Sequence, residues 1–184
     1  DRPLVLTMDE IKRLPSISRI YFIECNANGG TGRVKNAKTI QDAHGMVSCS
    51  EWTGVPLSLL LQEAGVQRGA KWLVCASADT SNHSSAVPME RAIADGLVAY
   101  GQNGEAPRLE NGYPLRLLMP GYGGRINVKW LNRIKAVDQP FMTSAIVGAR
   151  NAEQLRETLG AGGWRLPQTA LDRLDKVSKQ PHRY

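Results

Sequence analysis

The stretch "RIYFIECNANGGTGRVKN", residues 19–36, decides how this chain is read. Its first part lies in "SRIYFIEC" (18–25), which is β-rich and nearly continuous in apolar character, as a buried strand would be. It runs straight into a polar segment rich in Asn, Gly and Ser that lasts to residue 50. In a compact domain a loop of that length is functional or disordered. The thiol of Cys25 stands where strand becomes loop. It is either a small core hydrophobe ahead of a turn or a ligand around which a cofactor is built.

Working outward, "RPLVLT" (2–7) predicts a strand. Thr7 and Glu10 have capping-box spacing, so "MDEIKRL" is a short helix that ends near Pro15. Downstream, "PLSLLLQEAG" (56–65) is a helix stopped by Gly65, "KWLVCASA" (71–78) a buried strand, and "PMERAIADG" (88–96) a second glycine-stopped helix. "LVAYGQNGEA" (97–106) is a strand entering an Asn103-Gly104 turn, "YPLRLLMPG" (113–121) a strand closed by Pro-Gly, and "NVKWLNRIKAVDQ" (127–139) is strand-like. Strands dominate and no regular βα repeat forms, which gives α+β with a mixed sheet. After Pro140 the punctuation changes to one strand, "SAIVGAR" (144–150), and two amphipathic helices, 151–163 and 167–180. A boundary falls near 140–143.

The bulk properties fit one domain, or one domain with an appendage: 184 residues, 42% hydrophobic and 22% charged. No apolar run approaches the ~20 residues needed to span a bilayer, so no membrane partner is expected. The chain starts at Asp1 without a signal peptide, which suggests processing or a fragment. The formal charge of +6 comes from scattered Lys and Arg. With only two Phe and no basic run, this is a solvated basic surface rather than a nucleic-acid site. Cys25, Cys49 and Cys75 are too few and too widely spaced for a disulfide framework or a paired zinc site.

Four blocks in order, "FIECNANGG", "SEWTGVPLSLLL", "AYGQNGEAPRLENGYPLRLLMPG" and "NVKWLNRIKAVDQP", resemble the molybdopterin domain of the sulfite oxidase family over about residues 1–142. The look is nearest to the molybdenum subunit of bacterial sulfite and sulfane dehydrogenases. The resemblance implies a molybdenum–molybdopterin cofactor with Cys25 as its catalytic thiolate ligand, a soft anionic donor of the kind such a metal accepts. It also implies pterin and phosphate contacts from Asp79, Asn111, Arg116, Asn127, Val128 and Lys129, with main-chain contacts at Asn127 and Val128. Asn111 stands where the family often has His. Arg116 lies between Leu115 and Leu117, so strand alternation sets it on the opposite face. Cys75 reads as core and Cys49 as structural, while His83 is given no role. The substrate implied is a small sulfur oxyanion or sulfane, the electron acceptor a c-type cytochrome, and the compartment the periplasm. No CxxCH occurs, so haem is expected on another chain.

Two family features are missing from this span: a substrate arginine well upstream of the ligand cysteine, and a tyrosine after the "VKWL" block. In place of the latter, residues 143–184 resemble the end of an aldo-keto reductase. That resemblance implies NADP contacts at Arg150, Gln154 and Glu157, although one strand and two helices cannot close a (β/α)8 barrel and NADP is not expected. The expectation is therefore a molybdenum oxidoreductase of sulfite-oxidase type. The alternatives are a truncated pterin-binding remnant without turnover and, behind it, an NADP-binding reductase fragment.

Overall fold

Thr7 opens the first element. Its Oγ1 accepts the Glu10 N–H at 3.3 Å, and the Glu10 carboxylate accepts the Thr7 N–H at 2.7 Å. This reciprocal capping box starts α1, Met8–Arg13, which ends ahead of Pro15 as its sequence predicts. In the computed structural model, residues 3–79, 83–140 and Thr169 are described, with Thr31 and Arg33 described in backbone only. The strand predicted at 2–7 does not form over the described residues 3–7. Pro3 offers no N–H to a ladder, and Thr7 is committed to its cap.

β1, Ile17–Glu24, pairs antiparallel with β2, Val47–Pro56, and with no other named strand. It is not the buried strand its apolar run suggested. Ile20 is 71% and Phe22 64% exposed, and only Ile23 is buried. An edge strand can keep one apolar face on solvent. The long polar segment also corrects the sequence reading: it holds α2, Thr31–Asn36, and α3, Ile40–His44, and β2 begins within it. Thr39 and Asp42 build a second capping box that starts α3. Cys49, expected to be structural, is exposed on β2 opposite Phe22.

Beyond β2 the sequence is legible. α4 spans Leu57–Glu63 and is followed by Gly65 at φ +64. β3, Trp72–Ser77, alternates buried and half-buried side chains. β4, Ser84–Pro88, was not predicted; it leads into α5, Met89–Asp95, and β5, Leu97–Gln102. The Asn103-Gly104 turn has φ of +51 and +81, the left-handed pair a tight hairpin requires. A Cβ at Gly104 would meet no neighbour, so only φ strain opposes one. Gly104→Ala is expected to cost about 1 kcal/mol in urea unfolding with an unchanged slope. β6, Arg116–Leu118, and β7, Leu131–Val137, complete the named strands.

The α+β expectation holds, but the mixed sheet does not form: among the described residues the strands build two sheets, β1-β2-β5-β6 and β4-β3-β7, and every pairing is antiparallel, since no helix crossover joins neighbouring strands in parallel. Core lies on both faces of the first sheet. Leu117 and Val98 join Leu57, Leu73 and Val87 on one side; Leu118, Leu97 and Ala99 join Ile23 and Trp52 on the other. Neighbours on a strand face opposite ways, so Arg116 shares the face of Leu118 and meets Trp52. The chain divides into two compact units, Asp1–Ser144 and Ala145–Tyr184, and all described residues except Thr169 belong to the first. The predicted strand 144–150 and the helices 151–163 and 167–180, with Arg150, Gln154 and Glu157, lie outside the described residues.

Candidate functional site

Cys25 leaves the end of β1 held at both peptide groups. Its N–H donates to the Met46 carbonyl at 2.9 Å, and its carbonyl accepts the Asn28 N–H at 2.8 Å. The glycine loop 121–124 closes against it. The Gly124 N–H donates to the Glu24 carbonyl at 2.6 Å, and a Cβ on Gly123 would lie 2.1 Å from Asn26 Oδ1. A side chain there would have to displace the Asn26 amide. The half-buried Cys25 lines a cleft of about 500 Å³ with Ile23, Asn26, Met46, Arg116 and Arg125.

Arg116 supplies a buried charge to this cleft. It is 9% exposed, its guanidinium lies 5.3 Å from the Trp52 ring centroid, and Nη1 donates to the Asn111 carbonyl at 3.0 Å. Its Nε has no hydrogen-bond partner. Burial pushes its pKa down to about 10, so it remains a cation at neutral pH, with a donor left over. An unfilled donor on a buried cation is costly unless an anion answers it.

Lys129 faces Arg116 across an isolated β-bridge. Like charges directly opposite repel. The 3-10 turn Leu109–Asn111 relieves this. Three successive carbonyls accept three side-chain donors: Leu109 O from Trp130 Nε1 at 2.9 Å, Glu110 O from Lys129 Nζ at 3.0 Å, and Asn111 O from Arg116. Gly112, at φ +108, makes the approach possible, since a Cβ there would sit 2.9 Å from Lys129 Cβ. Lys129 Nζ also lies 4.5 Å from the Trp130 ring centroid.

A second cleft, of about 210 Å³, adjoins the first at Gly124 and Arg125, which line both. Ser77, Asp79, His83, Lys129 and Trp130 form its polar wall, with Asn127 and Val128 beneath. Ser77 Oγ donates to Asp79. His83 Nε2 is 2.9 Å from the Arg125 carbonyl, which can only accept, so this pairing puts the ring proton on Nε2. Asn127 is committed to the fold. Its Oδ1 accepts the Met119 N–H at 2.7 Å, and Nδ2 donates to the Tyr122 and Gly123 carbonyls, each at 3.0 Å. Val128 likewise donates its N–H to Ile126 O and accepts from Leu117 N–H. Asn111 lines neither cleft; its amide donates to Gln102 Oε1 at 3.0 Å.

The fold thus gathers Cys25 and Arg116 in one cleft and Asp79, Asn127, Val128 and Lys129 in the next. Sequence reasoning gave no part to His83, Arg125, Trp52 or Asn28. For Arg125 the signal was the "GYGGR" loop. For Trp52 it was a large aromatic on the strand facing Arg116. The donor set of thiol, buried cation and second cation is the one a metal–pterin phosphate group needs. Among the described residues no cluster of three or more His, Cys, Asp or Glu could itself hold a metal ion, and no helix is long and apolar enough to cross a membrane.

The thiols make a first test. In the cofactor-free native chain Cys49 is expected to react fastest with a disulfide reagent, Cys25 more slowly and Cys75 only after denaturation. Cys75 is 0% exposed and burial pushes its pKa up to about 12.

Residues 1–145 match the family described as oxidoreductase molybdopterin binding domain. The chain is 35% identical over 144 residues to the mitochondrial sulfite oxidase of Drosophila melanogaster, covering 73% of this chain and 25% of that protein. It is 32% identical over 154 residues to the NADH nitrate reductase of Ulva prolifera, covering 76% and 18%. Among solved structures it is similar to the sulfane dehydrogenase SoxCD of Paracoccus pantotrophus, with 40% identity, a TM-score of 0.72, and coverage of 76% of this chain and 36% of that one. The chain spans well under half the length of each.

Proposed function

Because this chain belongs to the oxidoreductase molybdopterin-binding domain family, we propose that its first unit holds a molybdenum–pterin group and serves an oxidoreductase of the sulfite oxidase type. The observation that carries this is the meeting of Cys25 and Arg116 in one cleft. Cys25 would ligate the metal, Lys129 and Arg116 would answer the negative charge of the pterin phosphate, and His83 and Ser77 would offer further polar contacts. When bound, the group supplies two-electron oxidation chemistry. The chain's own part is to fix the thiolate at the strand end, set the cations before anything arrives, and exclude water where Trp52 and Arg116 are buried.

The substrate on this reading is a small reduced sulfur oxyanion or sulfane, with a separate c-type cytochrome as acceptor and a periplasmic location. The sulfane dehydrogenase and sulfite oxidase relatives support it. Nitrate reductase relatives of similar identity favour a second reading, reduction of an oxyanion at the same site. A third outcome is pterin binding without turnover.

Metal and pterin analysis of the full chain from a cofactor-competent host tests the core of the proposal. About one molybdenum and one pterin per chain are expected; absence of both overturns it. On loaded protein, sulfite-dependent reduction of cytochrome c supports the sulfur reading, and nitrate-dependent oxidation of a reduced dye the second. Cofactor with neither activity identifies the non-catalytic form.

A further inference from the structure

Cys25, Asn28 and Met46 form a closed ring of hydrogen bonds. Cys25 N–H donates to Met46 O at 2.9 Å, Met46 N–H donates to Asn28 Oδ1 at 3.0 Å, and Asn28 N–H donates to Cys25 O at 2.8 Å. Asn28 Nδ2 adds a fourth bond, to Glu24 Oε1 at 2.8 Å. Asn28 therefore touches the residue before the thiol, the thiol-bearing residue, and Met46, just ahead of β2, whose carbonyl accepts the Cys25 N–H. We propose that Asn28 is the positioning residue of the Cys25 thiol. A primary amide is also the group that suits it, because one end must accept from Met46 while the other donates to a carboxylate. With both peptide groups of Cys25 pinned, the sulfur has only its χ1 rotation left. Ligands are held best when the groups behind them are themselves fixed.

The inference rests on Cys25 being the metal ligand, and the test separates the two. In the cofactor-free full chain carrying Cys49→Ser, two thiols remain: half-buried Cys25 and fully buried Cys75. Alkylation by iodoacetamide, followed at each residue by mass spectrometry, reports local opening at Cys25 and global opening at Cys75. Losing one hydrogen bond of ordinary net strength shifts a local opening equilibrium about fivefold. Asn28→Ala is expected to raise the Cys25 rate about fivefold or more with the Cys75 rate unchanged. Asn28→Asp is expected to do the same, since a carboxylate cannot donate to Glu24. Combining Glu24→Gln with Asn28→Asp reverses the polarity of that bond and is expected to restore the original rate. In the loaded chain the sulfur-to-metal absorption band is expected to shift in Asn28→Ala and return in the paired variant. An unchanged Cys25 rate in both single variants overturns the proposal. So does a rise of Cys25 and Cys75 in step that the paired variant does not reverse. If Cys25→Ser binds molybdenum as the wild type does, the ligand reading fails while the thiol-rate result stands.

Discussion

Cys25→Ser is expected to leave the chain folded and to remove the proposed redox chemistry. The residue is half-buried, and its structural bonds come from the backbone, which serine keeps. Urea stability should therefore change by no more than about 0.5 kcal/mol. The sulfur is another matter. A serine hydroxyl stays protonated near neutral pH and is a hard donor, whereas the proposed metal takes a soft thiolate. Partners that hold a metal's ligands are worth roughly 10–100-fold in affinity or activity, and a direct ligand more, so the acceptor reduction proposed above should fall by at least about 100-fold. Molybdenum content, the sulfur-to-metal absorption band and turnover are the measurements. A variant that keeps all three would remove Cys25 from the site.

Arg116→Met is expected to move stability and cofactor binding apart. The guanidinium is buried, no carboxylate bonds it in the described structure, and its Nε is unfilled. Depression of its pKa to about 10 corresponds to a folding cost on the order of 3 kcal/mol at neutral pH. Methionine recovers that cost and keeps much of the packing on Trp52. It loses one bond to Asn111 O and one cation–ring contact, each worth about 1 kcal/mol. The cofactor-free variant should unfold at the same or slightly higher urea concentration than wild type. Retention of pterin and molybdenum through gel filtration should nevertheless drop at least about tenfold, because an anion loses its buried counter-charge. The pH dependence carries a sign. The native state gives up this proton near pH 10 while the unfolded chain keeps it to higher pH, so the penalty is present below pH 10 and is relieved as pH rises past it. Wild type should gain stability relative to Arg116→Met above pH 10. Parallel pH profiles, or a large loss of stability in the cofactor-free variant, would contradict this.

Much of the frame was legible where local chemistry and tertiary context agree. The Thr7–Glu10 box, the Asn103-Gly104 hairpin and the face taken by Arg116 follow from spacing alone. β1 was legible as a strand but not as an edge, because a continuous apolar run fits either a two-sided core or a strand with one solvent face. β4 escaped notice because "SNHSSAVP" has little strand propensity; its pairing with β3 buries Ser84 and Ser85 regardless. The helix at 40–44 carried a readable capping signal within a polar stretch. In the site, the residues alone left Cys25 open between core and ligand; the fold sets it half-buried in the cleft that Arg116 also lines. The ring around Asn28 joins residues 18 apart, and the clasp at Leu109–Asn111 joins residues about 20 apart; no local pattern encodes either.

The turn at Leu109–Asn111 also fixes an order of events. Two neighbouring cations, on the proposed reading set for a phosphate, would otherwise repel each other until it arrived. With the Glu110 and Asn111 carbonyls standing in as counter-ions, the chain can reach its native form empty. Loading, on the proposed reading, then becomes an exchange at a finished receptor, in which phosphate oxygens relieve carbonyl oxygens and little backbone has to be rebuilt.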